Sequence, residues 1–142
     1  MECLRMGLRA AAPIAAVAGL VAGFAFTAPV QAAETGFPFG LEIMLDVPPM
    51  QGSERIPTIE IGDNGELRLD LWCKSGRGQF SVAGDTIIFV PGPMKADGCT
   101  PPRAQADDEL LANLSAVTNW TRQGVAVTLR GPKALKFRIT TN

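Results

Sequence analysis

The chain has 142 residues, a formal net charge of −1 and no histidine. This length suits one small domain with a single hydrophobic core, and the near-neutral charge argues against nucleic acid as a partner. Without an imidazole, the Ser-His-Asp and Cys-His arrangements of nucleophilic enzymes are excluded, as are the common zinc sites built on histidine. We therefore expect no enzymatic activity, no cofactor and no metal.

The first 32 residues have the pattern of a secretory signal peptide. Two arginines stand near the start, the segment 10–26 is almost wholly apolar, and small residues surround the expected cleavage site after Ala32, with Ala33 as the second choice. Cleavage after Ala32 leaves the 110 residues 33–142 and removes two arginines and one glutamate, so the net charge becomes −2. An uncleaved anchor is the alternative, although the apolar run is slightly short for a bilayer span of about 20 residues. We expect a periplasmic or secreted monomer with no stable membrane span after cleavage.

Alternating apolar residues predict the first strands. The segment 41–47 places Leu41, Ile43, Leu45 and Val47 on one face, as a half-buried strand would. Prolines and a glycine then interrupt the pattern.

Two hairpins are predicted next. The segments 57–62 and 66–72 flank a tight Asp-Asn-Gly turn, and 78–82 and 86–90 flank an Ala-Gly-Asp turn. The sequence Pro-Gly-Pro-Met is expected to end the last of these strands. The segment 74–78, Lys-Ser-Gly-Arg-Gly, is interpreted as a plain turn, because it lacks both the spacing of a phosphate loop and a following helix.

Helical spacing first appears in the segment 106–117. Its apolar positions are Leu110, Leu111, Leu114 and Val117, and they must pack against a sheet because a single helix cannot bury its own apolar stripe. Asp107, Asp108 and Glu109 are interpreted as favourable charges at the positive end of the helix, since adjacent carboxylates fan around the axis and do not face one another.

The closing hairpin, 124–140, combines an apolar face with a basic one. Its predicted inward residues are Val125, Val127, Leu129, Leu135, Phe137 and Ile139. Its remaining positions carry a candidate binding patch made of Arg130, Lys133, Lys136 and Arg138. This patch is either a docking surface for lipid head groups or an acidic envelope protein, or a solvated face that discourages edge pairing.

These elements predict an α+β fold. We expect a mainly antiparallel, curved sheet of about seven to eight short strands, open or cracked-barrel-like, with one helix packed on it.

Cys73 and Cys99 are the two cysteines outside the predicted signal peptide. In an oxidising compartment such a pair favours a disulfide, which would tie the end of a strand to the loop before the helix. Two free buried cysteines are the alternative. Trp72 and Trp120 are candidates for a ligand-stacking pair, although such residues more often cover a sheet edge.

In chain order, a strand ends at Cys73, a Gly-x-Phe strand and hairpin follow, a loop carries Cys99, and the helix sequence ELLANL precedes the hairpin VTLRGPKALKF. This order resembles the META domain, a family of small bacterial HslJ-like envelope proteins linked to heat shock. The resemblance runs from about Ile56 to Thr140. Trp-Cys-Lys stands where the family has Gly-Cys-Asn, and MKADGC stands in place of a Thr-x-Met-Ala-Cys-like loop, so both cysteine motifs depart from the family pattern.

The resemblance implies a curved sheet with one helix, a cracked barrel like that of type III secretion pilot lipoproteins, and an association with stress response and the cell envelope. Glu109, Leu110 and Leu114 match the helix of the family. We divide the chain into a signal peptide (1–32), a flexible N-terminus with a first strand (33–55) and a META-like domain (56–142).

Two functions are compatible with these features. The first is a non-enzymatic envelope protein that binds an unknown envelope protein or lipid, or supports stress tolerance. The second is a small carrier that holds an apolar or lipid-like ligand in a half-open barrel. A filled core would favour the first function, and an apolar cavity of roughly several hundred cubic ångströms would favour the second.

Overall fold

The computed structural model describes residues 36–140, and the predicted signal peptide lies outside the described residues. The elements in chain order are β1 (Glu42–Leu45), β2 (Thr58–Ile61), β3 (Glu66–Asp70), β4 (Lys74–Ala83), β5 (Thr86–Ala96), α1 (Pro101–Ser115), β6 (Asn119–Gln123), β7 (Ala126–Arg130) and β8 (Leu135–Ile139). Among the described residues, no helix is long and apolar enough to cross a membrane.

The eight strands form one closed antiparallel barrel in which each strand pairs with its neighbours in the chain. β1 closes the barrel by pairing with β8, with Ile43 opposite Ile139. The predicted α+β fold with seven to eight strands and one helix is therefore confirmed.

The seam between β5 and β6 is the weakest part of the barrel. Thr86 and Asn119 form the single registered pair, and the amide of Ile87 donates to the carbonyl of Thr118 at 2.9 Å. Helix α1 connects these two strands and packs against β5. The helix therefore covers a part of the wall where strand pairing is short.

The barrel interior is filled by the alternating apolar side chains. The least exposed of them are Ile43, Ile59, Ile61, Leu67, Leu69, Leu71, Ile87, Val127, Leu129 and Phe137, and Leu114 of α1 is equally buried. They form one continuous hydrophobic cluster with three further phenylalanines, Phe37, Phe80 and Phe89. The strand periodicity thus predicted most of the core.

Two residues that were predicted to face inward are exposed, Leu41 and Val125. Leu41 lies one residue before β1, where the alternation has not begun. Val125 lies in the two-residue turn between β6 and β7, after Gly124 with φ 59°. A positive φ is the backbone state that hairpin turns of this length require, and it takes Val125 out of the inward alternation.

β4 and β5 are longer than predicted, and this corrects two interpretations. The segment 74–78 is the start of β4 and not a plain turn, and β5 continues through Pro91 and Pro93. The register shifts between Gly76 and Gly78, where the strands approach closely: a Cβ at Gly78 would lie 2.5 Å from the carbonyl oxygen of Val90. The N–H of Ile87 points away from β4, toward the carbonyl of Thr118. Pro91 lies four residues later on the same strand, so its nitrogen points the same way. Its missing N–H therefore removes no hydrogen bond between β4 and β5.

Helix α1 begins at Pro101, five residues before the predicted start. Two prolines are tolerated there because the first amides of a helix have no intrahelical acceptor. The first turn contains no acidic residue. The interpretation of the three acidic residues as charges at the helix N-terminus is therefore wrong. β6 was not predicted, because Trp120 is its single buried residue.

Candidate functional site

A disulfide joins Cys73 and Cys99, whose Cα atoms lie 5.2 Å apart. Cys73 is buried between β3 and β4, and Cys99 lies two residues before α1. The bond therefore ties the sheet to the start of the helix, as the sequence predicted. Because it closes a separation of 26 residues, it removes many conformations from the unfolded chain.

Asp107 is the buried charged group beside this disulfide, with a relative exposure of 0%. One carboxylate oxygen accepts the backbone N–H of Trp72 at 2.9 Å. The other accepts the N–H of Cys73 at 3.0 Å and of Lys74 at 2.8 Å. A buried carboxylate is costly unless it is hydrogen-bonded, and three amides offset that cost here.

We call Cys73, Cys99 and Asp107 the helix junction. Sequence reasoning placed the disulfide here but missed Asp107. One signal was present: Asp107 precedes Leu110 by three residues and Leu114 by seven, so it lies on the apolar stripe of α1. A carboxylate on that stripe has to meet donors from the sheet.

In the helix junction, the two sulfurs and a carboxylate oxygen lie within 4.8 Å of one another, which is close enough for a metal ion to bind. Both sulfurs are, however, consumed by the disulfide, and a thiolate is the form of cysteine that binds metal. The carboxylate already accepts three amides. The arrangement therefore serves a structural purpose.

The two tryptophans lie in different surroundings and do not form a stacking pair. Trp120 is buried beside Phe37, with ring centroids 5.0 Å apart, and its indole N–H donates to the carbonyl of Gly84 at 2.9 Å. Trp72 is half-buried, and its indole nitrogen is buried without a hydrogen-bond partner among the described residues. Trp72 is thus the tryptophan with an unused donor.

The candidate patch, which we call the basic face, consists of Arg130, Lys133, Lys136 and Arg138. All four are exposed at the outer side of β7 and β8 or in the turn between them. Arg138 is paired with Asp46 at 2.9 Å. The other three have no acidic partner in the part of the chain that the structure describes. The basic face therefore presents three unpaired cations instead of four.

A groove of about 280 Å³ lies between α1 and the strands β1 and β8, and it shares Lys133 and Lys136 with the basic face. We call it the α1–β8 groove. Its apolar floor contains Leu45, Val47, Trp72, Leu110 and Leu135. Its polar rim contains Asp46, Glu109, Asn113, Lys133 and Lys136. The groove is on the outside of the barrel, so it is distinct from the cavity that a carrier of the predicted kind would need.

A second exposed apolar area lies on the outer face of β5, at Ile88 and Val90. It borders a shallow depression of about 520 Å³ that also includes Glu66 and Arg77. These two charges pair with each other at 3.3 Å. The depression therefore offers no unpaired charge to a partner, unlike the α1–β8 groove.

Comparisons with known proteins define the relationship of the chain to others. An NMR structure of a protein from Burkholderia xenovorans superposes with a TM-score of 0.57 at 16% identity, over 73% of this chain and 84% of that one. At this identity the likeness concerns the fold alone. No curated protein matches the sequence. The family described as META domain matches residues 42–140, a span that includes β1 and the predicted META-like region as far as Thr140. The chain therefore belongs to the META domain family.

Proposed function

We propose that this protein is a non-enzymatic, exported envelope protein, periplasmic or secreted, that works as a monomer and binds an anionic partner through the basic face. The disulfide supports export, because such bonds persist in oxidising compartments and are rare in the cytosol. Membership of the META domain family is consistent with an envelope role.

The filled barrel is the observation that carries the proposal. Phe137, Leu67 and Leu69 are almost completely buried inside it, and the surrounding core is continuous. A ligand inside the barrel would have to displace these side chains from a well-packed interior. This weakens the carrier alternative and leaves the outer surface as the place of recognition.

The unpaired cations make the basic face the best candidate on that surface. Three of its cations form no ion pair among the described residues: Arg130, Lys133 and Lys136. A partner could therefore bind them without first breaking an existing ion pair. By contrast, Arg68 and Arg77 on the outer face of β3 and β4 are paired with Glu60 and Glu66. An anionic lipid surface or an acidic envelope protein would complement the basic face, because complementary potentials favour both encounter and specificity.

The direct test is co-sedimentation with vesicles that contain phosphatidylglycerol, compared with vesicles of phosphatidylcholine alone. A soluble polyglutamate provides an acidic protein-like probe. We expect binding to at least one anionic probe at low salt and weaker binding at physiological salt, where exposed charges are screened beyond about 8 Å.

Two triple variants with the same change in charge sharpen the test. Arg130→Gln/Lys133→Gln/Lys136→Gln should abolish the binding, whereas Arg68→Gln/Arg77→Gln/Lys95→Gln, on strands β3 to β5, should leave it unchanged. The absence of binding to either anionic probe, or equal loss in both variants, would overturn the proposal.

A further inference from the structure

The α1–β8 groove combines an apolar floor with cations on its rim. Leu45, Leu110 and Leu135 extend from the core to the base of the groove, and Val47 and Trp72 are half-buried beside them. Apolar surface that stays accessible beside the core favours an apolar group of a ligand, because covering it removes that surface from water. The floor therefore suits a hydrocarbon and gives no reason for a sugar or another fully polar ligand.

The charges on the rim are not equivalent. Asp46 is occupied by Arg138, whose Nε and a terminal nitrogen donate to the same carboxylate oxygen at 3.1 and 2.9 Å. Glu109 accepts a hydrogen bond from the amide of Gln105 at 3.0 Å. Lys133 and Lys136 have no partner among the described residues. Arg138 compensates the charge of Asp46, whereas Glu109 keeps its negative charge because its partner is neutral. The rim therefore carries two free lysines against one uncompensated carboxylate, and this positive balance favours a negative ligand group.

Trp72 contributes its aromatic ring to this groove. Its ring forms part of the floor, and its indole N–H is buried without an acceptor among the described residues. Because the nitrogen itself is buried, the groove presents the Trp72 ring, and not the N–H, to a ligand.

The volume limits the size of the ligand. The groove volume of about 280 Å³ lies just below the roughly 300 to 1,000 Å³ of small-molecule sites, so it suits a short hydrocarbon chain with a small head group.

We infer that the α1–β8 groove binds a small amphiphilic anion, with its hydrocarbon chain on the apolar floor and its carboxylate at Lys133 and Lys136. This inference rests on the proposed binding role of the basic face and names the chemical class of its ligand. The apolar floor contacts the hydrocarbon chain of the ligand, and the two lysines bind its negative charge.

Octanoate is a suitable probe, because it has the right size and dissolves as single molecules at the concentrations needed. Titration of the purified protein can be followed by its amide and indole N–H signals in NMR. The two tryptophans give two indole signals. We expect the Trp72 signal to shift because its ring lies on the groove floor, while the Trp120 signal stays in place because Trp120 lies outside the groove.

Two analogues separate the contributions of chain and charge. Acetate has the carboxylate without the chain, and octanamide has the chain without the charge. We expect octanamide to bind roughly tenfold more weakly than octanoate, since a hydrogen bond to a charged group is worth about one such factor or more. Acetate should also bind roughly tenfold more weakly or worse, because it lacks the methylene groups that cover the apolar floor. Equal binding of octanoate and octanamide would overturn the inference.

Three variants locate the site. Lys133→Gln/Lys136→Gln should weaken octanoate binding roughly tenfold, and Lys95→Gln, which lies outside the groove, should have no effect. Ala134→Phe should abolish binding by filling the groove; Ala134 is exposed, so the fold should tolerate the change. If octanoate does not shift the Trp72 signal, the inference is wrong. If the protein still binds anionic vesicles in that case, the proposed function stands without the inference.

Discussion

The helix junction and the basic face both depend on charged side chains, but the two regions use them in opposite ways. At the helix junction, Asp107 is completely buried and its oxygens accept three backbone amides. At the basic face, Lys133 and Lys136 are exposed and unpaired within the described residues. A buried charge with fixed partners holds a fold together, whereas an exposed charge without partners is available for recognition.

The difference has an energetic origin. Removing the acceptor from buried amides leaves each of them unsatisfied at a cost of roughly 1 to 3 kcal/mol. Removing an exposed charge changes the free energy of unfolding by about 0 to 1 kcal/mol. Variants of the helix junction should therefore change stability, and variants of the basic face should change binding.

Asp107→Ala should give the largest effect. It leaves three backbone amides without their acceptor, at roughly 1 to 3 kcal/mol each. Because the amides of Trp72 and Lys74 are only partly buried, they fall toward the lower end, and we expect the free energy of unfolding to drop by about 3 to 6 kcal/mol in urea denaturation. Asp108→Ala is the matched control on the same helix. The Asp108 side chain is 65% exposed and its partner Lys74 is 18% exposed, so the cost should be about 1 kcal/mol, well below that of Asp107→Ala. Equal losses in the two variants would remove the distinction between buried and exposed charge.

The disulfide should contribute slightly less. In the chain-entropy model, a bond across 26 residues is worth about 3.5 kcal/mol. Cys73→Ala/Cys99→Ala should lose this amount in urea denaturation, and reduction of the natural protein should give a similar loss. Mass spectrometry of the unreduced, unfolded protein should find the peptides of Cys73 and Cys99 linked. Free, alkylatable thiols at both positions would contradict the structure.

The third prediction concerns the docking of α1 on the barrel. Leu114 has 0% exposure, so Leu114→Ala should leave a cavity and cost about 2 to 5 kcal/mol. Leu111→Ala, at a half-buried position of the same helix, should cost distinctly less. A loss below about 0.5 kcal/mol for Leu114→Ala would mean that the helix contributes little to the core.

Glu109→Gln should have the smallest effect on stability. Its carboxylate is exposed and accepts one hydrogen bond, from Gln105 one helical turn earlier, so we expect a change below about 0.5 kcal/mol. Because Glu109 lies on the rim of the α1–β8 groove, loss of its negative charge should leave anionic binding unchanged or make it stronger. Weaker binding by this variant would show that Glu109 itself takes part in recognition.

The strand pattern was the most predictable part of the molecule. Leu67, Leu69 and Leu71 alternate with charged or aromatic residues, and this local pattern is enough to assign an inward face. β6 gives no such pattern, since it buries Trp120 alone. The start of β4 is rich in glycine, and its strand conformation depends on β5, a partner that lies elsewhere in the chain.

The candidate site was predictable only in part, and for a similar reason. The basic residues could be recognised because they follow one another in a single hairpin. The role of Asp107 depends on amides that lie 33 to 35 residues away, and the α1–β8 groove is formed by three elements distant in sequence. Neither feature has a local signature, so the sequence pattern did not reveal them.

The central claim is that the helix junction maintains the fold while the basic face binds the partner. The most direct test measures the free energy of unfolding and anionic vesicle binding together on Arg130→Gln/Lys133→Gln/Lys136→Gln. We predict that binding is lost while the free energy of unfolding changes by less than about 0.5 kcal/mol. Retained binding, or a loss of stability comparable with that of Asp107→Ala, would contradict the account.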